Sequence, residues 1–193
     1  MEGPPPQITP KSVDDYLEQL SKPVFQAGMS WRVVDAKWPS TKKAFYDFKT
    51  ERVARFGDRE IDTLAQDERV IRSRPKIAAV VHNANALLDL ERNGGVKKHL
   101  RSFDDYEELA TDLKKRFKFV GDSGMYHFLW TVKQPVPEWR DWAKAHGLTW
   151  GQKKANPKAT TRARSTRTKG TSAKTTRTKT TRKTTTASRA TRA

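Results

Sequence analysis

Cysteine is absent from this sequence of 193 residues. The chain therefore forms no disulfide and offers no thiolate to a metal, which fits a reducing compartment. No apolar run reaches the length of about 18 residues that a transmembrane helix needs. The Pro-rich start, residues 1–6, lacks the charged and apolar regions of a signal peptide. We therefore expect a cytoplasmic protein that makes no contact with a membrane.

Acidic residues are missing from the last part of the chain. Residues 151–193 hold fourteen Lys and Arg and no Asp or Glu, so they carry +14 of the net charge of +17 and leave only +3 for the rest. All six Trp, four Tyr and eight Phe lie in the first 150 residues. Residues 151–193 cannot build a hydrophobic core, and we predict that they form a disordered tail.

A basic tail of this kind is typical of nucleic-acid binding, because Lys and Arg neutralise phosphates and release counterions. We predict double-stranded DNA as the partner, bound without sequence preference, and a nucleoid location in a bacterium. A tail that only aids solubility and a tail that binds RNA are the alternatives. The predicted organisation is a Pro-rich lead-in (1–11), a helical domain (12–150) and the basic tail (151–193).

Helical patterns fill the domain, so the predicted fold class is all-α. Ser12 and Asp15 resemble a capping box and predict a first helix over 13–20. The clearest helix covers 75–92, where apolar residues recur at i, i+3 and i+4 before a Gly-Gly pair. Short strands at 69–71 or 117–120 are the alternative. Further helices are predicted over 24–37, 40–48, 50–56, 58–65, 102–116, 122–132 and 138–146.

The turn at 117–121 separates two predicted helices and contains Gly121, which indicates a helix-hairpin-helix element. The first turn of the second helix, at Ser123, presents backbone N–H groups that bind anions, and the helix dipole adds to this. A DNA phosphate is the expected anion, with Lys118 and Phe119 of the hairpin beside it. The alternative is an ordinary helix turn with core aromatics and solvated lysines.

Five segments resemble the DNA-3-methyladenine glycosylase I family, which belongs to the all-α helix-hairpin-helix glycosylases. The segment QAGMSW at 26–31 is similar to the family's QAGLSW, and VIRSRPKI at 70–77 to its I-I-R-x-R-x-K-I element. The short helices at 45–56, NANA at 83–86 and FKFVG at 117–121 follow in the same order. The resemblance covers about residues 24–132.

The resemblance implies that the protein excises an alkylated base, which it extrudes from the duplex into a pocket. Trp31 matches the pocket aromatic, with Phe25 and Gln26 beside it; a core position for Trp31 is the alternative. The matched basic element implies that Arg72, Arg74 and Lys76 bind DNA. These residues therefore form the expected base pocket and DNA interface.

The chain departs from the family at its pocket glutamate, whose position holds Pro23, and it lacks the cysteines of the family's zinc site. We expect neither a metal nor a cofactor. In the wider superfamily an aspartate follows the hairpin glycine by about twenty residues, which implies Asp141, with Glu138 second, as the carboxylate that stabilises a cationic sugar. The alternative is that both acids only begin a helix.

Two functions remain open on the sequence alone. The first is a monomeric base-excision glycosylase that hydrolyses an N-glycosidic bond. The second is a DNA-binding or nucleoid-associated protein that keeps the fold and has lost catalysis, which the proline at position 23 favours.

Overall fold

The structure, a computed structural model, describes residues 5–148, and within that range the chain is helical with no strand. The all-α prediction is confirmed, and neither 69–71 nor 117–120 is a strand. Of the described helices, none has the length and apolar character to span a bilayer. The predicted basic tail lies outside the described residues, so its disorder stays a prediction.

Nine α-helices and one three-residue helical turn, Tyr46–Phe48, make up the regular structure of the described part. The helices are α1 Val13–Gln26, α2 Trp31–Ala44, α3 Thr50–Val53, α4 Asp58–Gln66, α5 Arg74–Arg92, α6 Val96–Leu100, α7 Tyr106–Arg116, α8 Asp122–Thr131 and α9 Trp139–Ala145.

The first helix is longer than the sequence predicts. α1 continues through Pro23, a residue that usually ends a helix because it has no N–H to donate. Its apolar side, which includes Leu17, Leu20 and Val24, is fully buried, and α1 packs against both α5 and α8. Burial of that side offsets the lost hydrogen bond, so the predicted start of a second helix at residue 24 is wrong.

The break comes instead at Gly28, whose φ of +73° is a left-handed conformation that glycine adopts without strain. Ser30 follows in an extended conformation and precedes α2, which begins at Trp31. The turn in QAGMSW therefore places Trp31 at the first position of a helix.

Two other predicted boundaries are wrong. The helix expected over 40–48 is the end of α2, followed by a turn in which Tyr46, Asp47 and Phe48 have φ values of 52–55°. The conformational cost of this left-handed turn is offset by the complete burial of Phe48, whose ring stacks on that of Phe45 with 5.2 Å between centroids. The helix expected from residue 102 begins at Tyr106, because Asp105 caps it by accepting from the Glu108 N–H at 3.0 Å.

The longest helix, α5, organises the domain. The helices α1, α3, α4 and α6 all pack against it, and its residues Ile77, Val80, Ala84 and Leu87 are fully buried. Because α8 packs on α1 and α7 packs on α8, the hairpin between α7 and α8 comes to lie beside the middle of α5. The packing of α8 on α1 therefore positions the hairpin against α5.

Candidate functional site

The hairpin at 117–121 is held by the side chain of Asn83 on α5. The Asn83 Oδ1 accepts from the Lys118 N–H at 2.7 Å, and its Nδ2 donates to the Lys118 carbonyl at 3.1 Å. One residue earlier, the His82 ring is bonded to the Arg116 carbonyl at 3.0 Å. The NANA segment therefore fixes the backbone of the hairpin, which is a link the sequence does not reveal.

Side chains of the hairpin divide between core and solvent. Phe117 and Val120 are buried, whereas Lys118 is exposed and Phe119 is 50% exposed with a φ of +59°. Gly121 precedes α8, and its carbonyl accepts from the Met125 N–H at 2.8 Å. The hairpin thus offers an exposed cation and an exposed aromatic ring beside a helix N-terminus, an arrangement that suits an anion.

The three basic residues of the 70–77 element have different surroundings. The Arg74 guanidinium bonds to the carboxylates of Asp58 and Asp62, each at 2.6 Å. The Arg72 side chain is exposed, and within residues 5–148 it makes no hydrogen bond or ion pair. Arg72 therefore suits phosphate binding, while Arg74 is engaged in joining α5 to α4.

Lys76 is bonded to the protein backbone rather than free to contact DNA. Its Nζ donates to the carbonyls of Phe25 at 2.9 Å and Ala27 at 2.6 Å, at the C-terminal end of α1. Burial lowers the pKa of this ammonium, yet it satisfies two carbonyls that the end of a helix leaves without intrahelical donors. Lys76 thereby anchors the turn that precedes Trp31.

Four rings from three helices meet beyond that turn, and we call them the aromatic cluster: Trp31 of α2, Tyr126 and His127 of α8, and Trp139 of α9. The His127 ring centroid lies 5.5 Å from that of Trp31 and 5.4 Å from that of Trp139. Tyr126 and Trp139 are 4.9 Å apart. Trp31 and His127 are both half-buried, so this cluster reaches the surface.

The aromatic cluster brings together one predicted residue and three that sequence reasoning missed. Trp31 follows from the resemblance, whereas Tyr126, His127 and Trp139 do not belong to any of the five matched segments. The density of aromatic residues between 126 and 142 is the signal that could have found Tyr126 and Trp139.

The other two predicted pocket residues, Phe25 and Gln26, differ in their burial. Phe25 is fully buried and packs edge-on against Trp38 and Phe45 in the core, so its ring does not line a surface pocket. Gln26 is the half-buried last residue of α1, and its carbonyl accepts from the Met29 N–H at 2.7 Å.

The two predicted catalytic carboxylates stand at the start of α9. Glu138 is its N-cap, and its carboxylate accepts from the N–H groups of Arg140 at 2.6 Å and Asp141 at 3.1 Å. Asp141 is exposed. Since it follows Trp139 by two residues, it lies roughly 200° around the helix from that ring. The geometry favours the capping alternative for Glu138 and directs Asp141 away from the aromatic cluster.

Pro23 packs directly against α8. A Cβ added to Gly124 would lie 3.0 Å from the Pro23 Cβ, so only glycine fits there without a shift of one helix. His127 follows Gly124 by one helical turn and lies on the same face of α8. The described residues contain no group of three His, Asp or Glu side chains placed to hold a metal ion.

The methyladenine glycosylase family model matches residues 9–115. That match begins earlier than the resemblance in the sequence indicates and ends before the hairpin. Among known proteins, the chain is 32% identical to DNA-3-methyladenine glycosylase 1 of Escherichia coli, over 54% of this chain and 67% of that one. It is 31% identical to DNA-3-methyladenine glycosylase of Haemophilus influenzae, over 54% and 68%.

Solved structures agree in fold. A crystal structure of 3-methyladenine DNA glycosylase I superposes with a TM-score of 0.56 at 28% identity, over 65% of this chain and 81% of the other. The Staphylococcus aureus enzyme, described with its recognition of 3-methyladenine, gives a TM-score of 0.58 at 25% identity, over 65% and 78%. The sequence match and the shared all-helical fold together show that this chain belongs to the methyladenine glycosylase family.

Proposed function

We propose that this protein is a DNA repair glycosylase that hydrolyses the N-glycosidic bond of an alkylated base resembling 3-methyladenine. The observation that carries the proposal is that α8 begins at the exposed hairpin and, one turn further on, contributes two rings to the aromatic cluster. A helix N-terminus is suited to binding a phosphate, and the aromatic cluster is suited to stacking on a base. The single helix α8 would therefore contact both the phosphate and the base of an extruded nucleotide.

To release an alkylated base, the protein mainly has to hold that base outside the duplex. An alkylated purine such as 3-methyladenine is cationic in DNA and leaves readily. Aromatic faces attract such a cation and stack on it, which keeps the base out of the duplex. Lys118 and Arg72 are the proposed phosphate-binding side chains, and duplex DNA bound by a single copy of the chain is the proposed complex.

The test is direct measurement of free base. Methylated duplex DNA is incubated with micromolar protein, and released bases are separated by chromatography. We expect 3-methyladenine to be released in a protein-dependent manner. DNA binding without release of any alkylated base would contradict the proposal and support the second candidate, an inactive DNA-binding protein, which Pro23 at the family's glutamate position favours.

The catalytic role predicted for Asp141 has its own test. Because Asp141 is exposed and lies roughly 200° around α9 from Trp139, we expect Asp141→Asn to retain most of the single-turnover rate of base release. DNA affinity, measured in parallel by fluorescence anisotropy, serves as the control. Abolished release with unchanged affinity would instead assign catalysis to this carboxylate.

For the basic tail we propose a role in non-specific DNA affinity that keeps the enzyme on the nucleoid. Deletion of residues 151–193 removes fourteen cations. We therefore expect weaker DNA binding and a flatter dependence of log affinity on log salt, since each phosphate contact contributes about −0.9 to that slope. A tail of scrambled sequence is the matched control and should bind like the wild type. Loss of single-turnover release at saturating enzyme would show that the tail does more than hold DNA.

A further inference from the structure

The aromatic cluster contains one histidine, His127, and its ring makes no hydrogen bond to the described residues. Within residues 5–148, neither ring nitrogen of His127 has a hydrogen-bond partner, although its neighbours Trp31 and Trp139 enclose it. Histidines elsewhere in the described chain are bonded, as His82 is to the Arg116 carbonyl and His99 is to Asp112 at 2.9 Å. Both ring nitrogens of His127 are therefore available to a hydrogen-bonding ligand.

The position of His127 on α8 is related to that of Pro23 on α1. Pro23 occupies the place where the resembled family carries a pocket glutamate, and its ring offers no hydrogen bond. Pro23 lies against Gly124, and His127 is one turn further along the same face of α8. An imidazole of α8 therefore lies one helical turn from the point where Pro23 meets that helix.

We propose that His127 is the specificity-determining residue of the aromatic cluster, and that its imidazole hydrogen-bonds the edge of an alkylated base that stacks on Trp31. This inference rests on the proposed function. A neutral imidazole offers one donor and one acceptor nitrogen, and a purine edge offers complementary groups. Unlike a protonated ring, it does not repel a cationic base.

The surroundings keep the ring neutral. Burial lowers the pKa of His127 below its ordinary value of 6.5, and desolvation is the cause. The charged groups on the helices that contact His127 are exposed or bonded to other groups. On α2 they are Arg32 and Asp35, on α9 Glu138, Arg140, Asp141 and Lys144, on α8 Asp122, and near the end of α1 Lys22.

Two substitutions separate hydrogen bonding from ring packing. His127→Phe keeps an aromatic ring and removes both nitrogens, and we expect base release to fall about ten- to a hundred-fold, the usual effect of an unpaired polar group on a bound ligand. His127→Asn keeps a donor and an acceptor and should retain most of the activity. Thermal unfolding of both variants checks that they fold. Equal activity of wild type and His127→Phe would overturn the inference and leave the proposed function intact.

The pH profile gives a second readout. Base release by the wild type should decline only at pH values well below 6.5, because burial lowers the pKa of His127 and protonation then removes the acceptor and adds a repelling charge. His127→Asn should lose that decline, whereas the control His99→Asn should keep it. An unchanged acid limb in His127→Asn would count against recognition by His127.

A binding measurement does not depend on catalysis. Free 3-methyladenine is titrated into ¹⁵N-histidine-labelled full-length protein, and the ring nitrogen resonances are followed. We expect the His127 resonances to shift and those of His99 to remain. A shift in a protein that releases no base would contradict only the proposed function, and unshifted His127 resonances at saturating base would contradict the inference.

Discussion

Replacing Trp31 with alanine is expected to slow base release by about ten- to a hundred-fold, because stacking of a base on an aromatic ring is worth about 1–3 kcal/mol. The Trp31 indole lies at the first position of α2 and forms one side of the aromatic cluster, 5.5 Å from His127. The ring is half-buried, so its removal costs the core little. Single-turnover kinetics on methylated duplex DNA measure the effect.

Two controls sharpen this prediction. Trp31→Phe keeps a stacking face and should lose less activity than Trp31→Ala. Trp130 is also half-buried but lies on α8, and its Nε1 donates to the Pro5 carbonyl at 3.1 Å. Trp130→Phe should leave the rate of base release unchanged. If Trp31→Ala unfolds the protein, Trp31 belongs to the core, as the alternative interpretation of the sequence held. A wild-type rate of base release by a folded Trp31→Ala variant would contradict stacking of the base on Trp31.

Replacing Asn83 with alanine is expected to lower the free energy of unfolding by about 2–3 kcal/mol and to weaken DNA binding. The side chain is 1% exposed, and it makes both a donor and an acceptor bond to the backbone of Lys118. Without it, the hairpin loses its attachment to α5 and the exposed Lys118 loses its fixed position. Urea unfolding and fluorescence anisotropy with duplex DNA measure the two effects.

Asn85, two residues away, is the matched control. It is exposed, and its Nδ2 donates to the carbonyls of Ala54 at 3.1 Å and Val81 at 3.0 Å. Because water can replace these bonds, Asn85→Ala should cost about 1 kcal/mol or less and leave DNA affinity unchanged. Equal effects of the two substitutions would show that the hairpin does not depend on Asn83.

The sequence by itself determined the helical fold class, the family and the residues whose roles are local. The helix at 75–92 differs from α5 by one residue, because proline at its start and the Gly-Gly pair after it act within a few residues of the chain. The same holds for Glu138, whose carboxylate bonds two N–H groups of its own helix. The QAGMSW segment was sufficient to predict Trp31 as a residue that stacks on the base.

Only the tertiary structure decided which distant residues meet. α1 passes through Pro23 because its apolar side is buried against α5 and α8, an effect that no local pattern contains. Trp31, His127 and Trp139 come from three helices separated by long stretches of chain, and their contact depends on how α2, α8 and α9 pack. Local propensity acts over a few residues, whereas a binding site is assembled by packing.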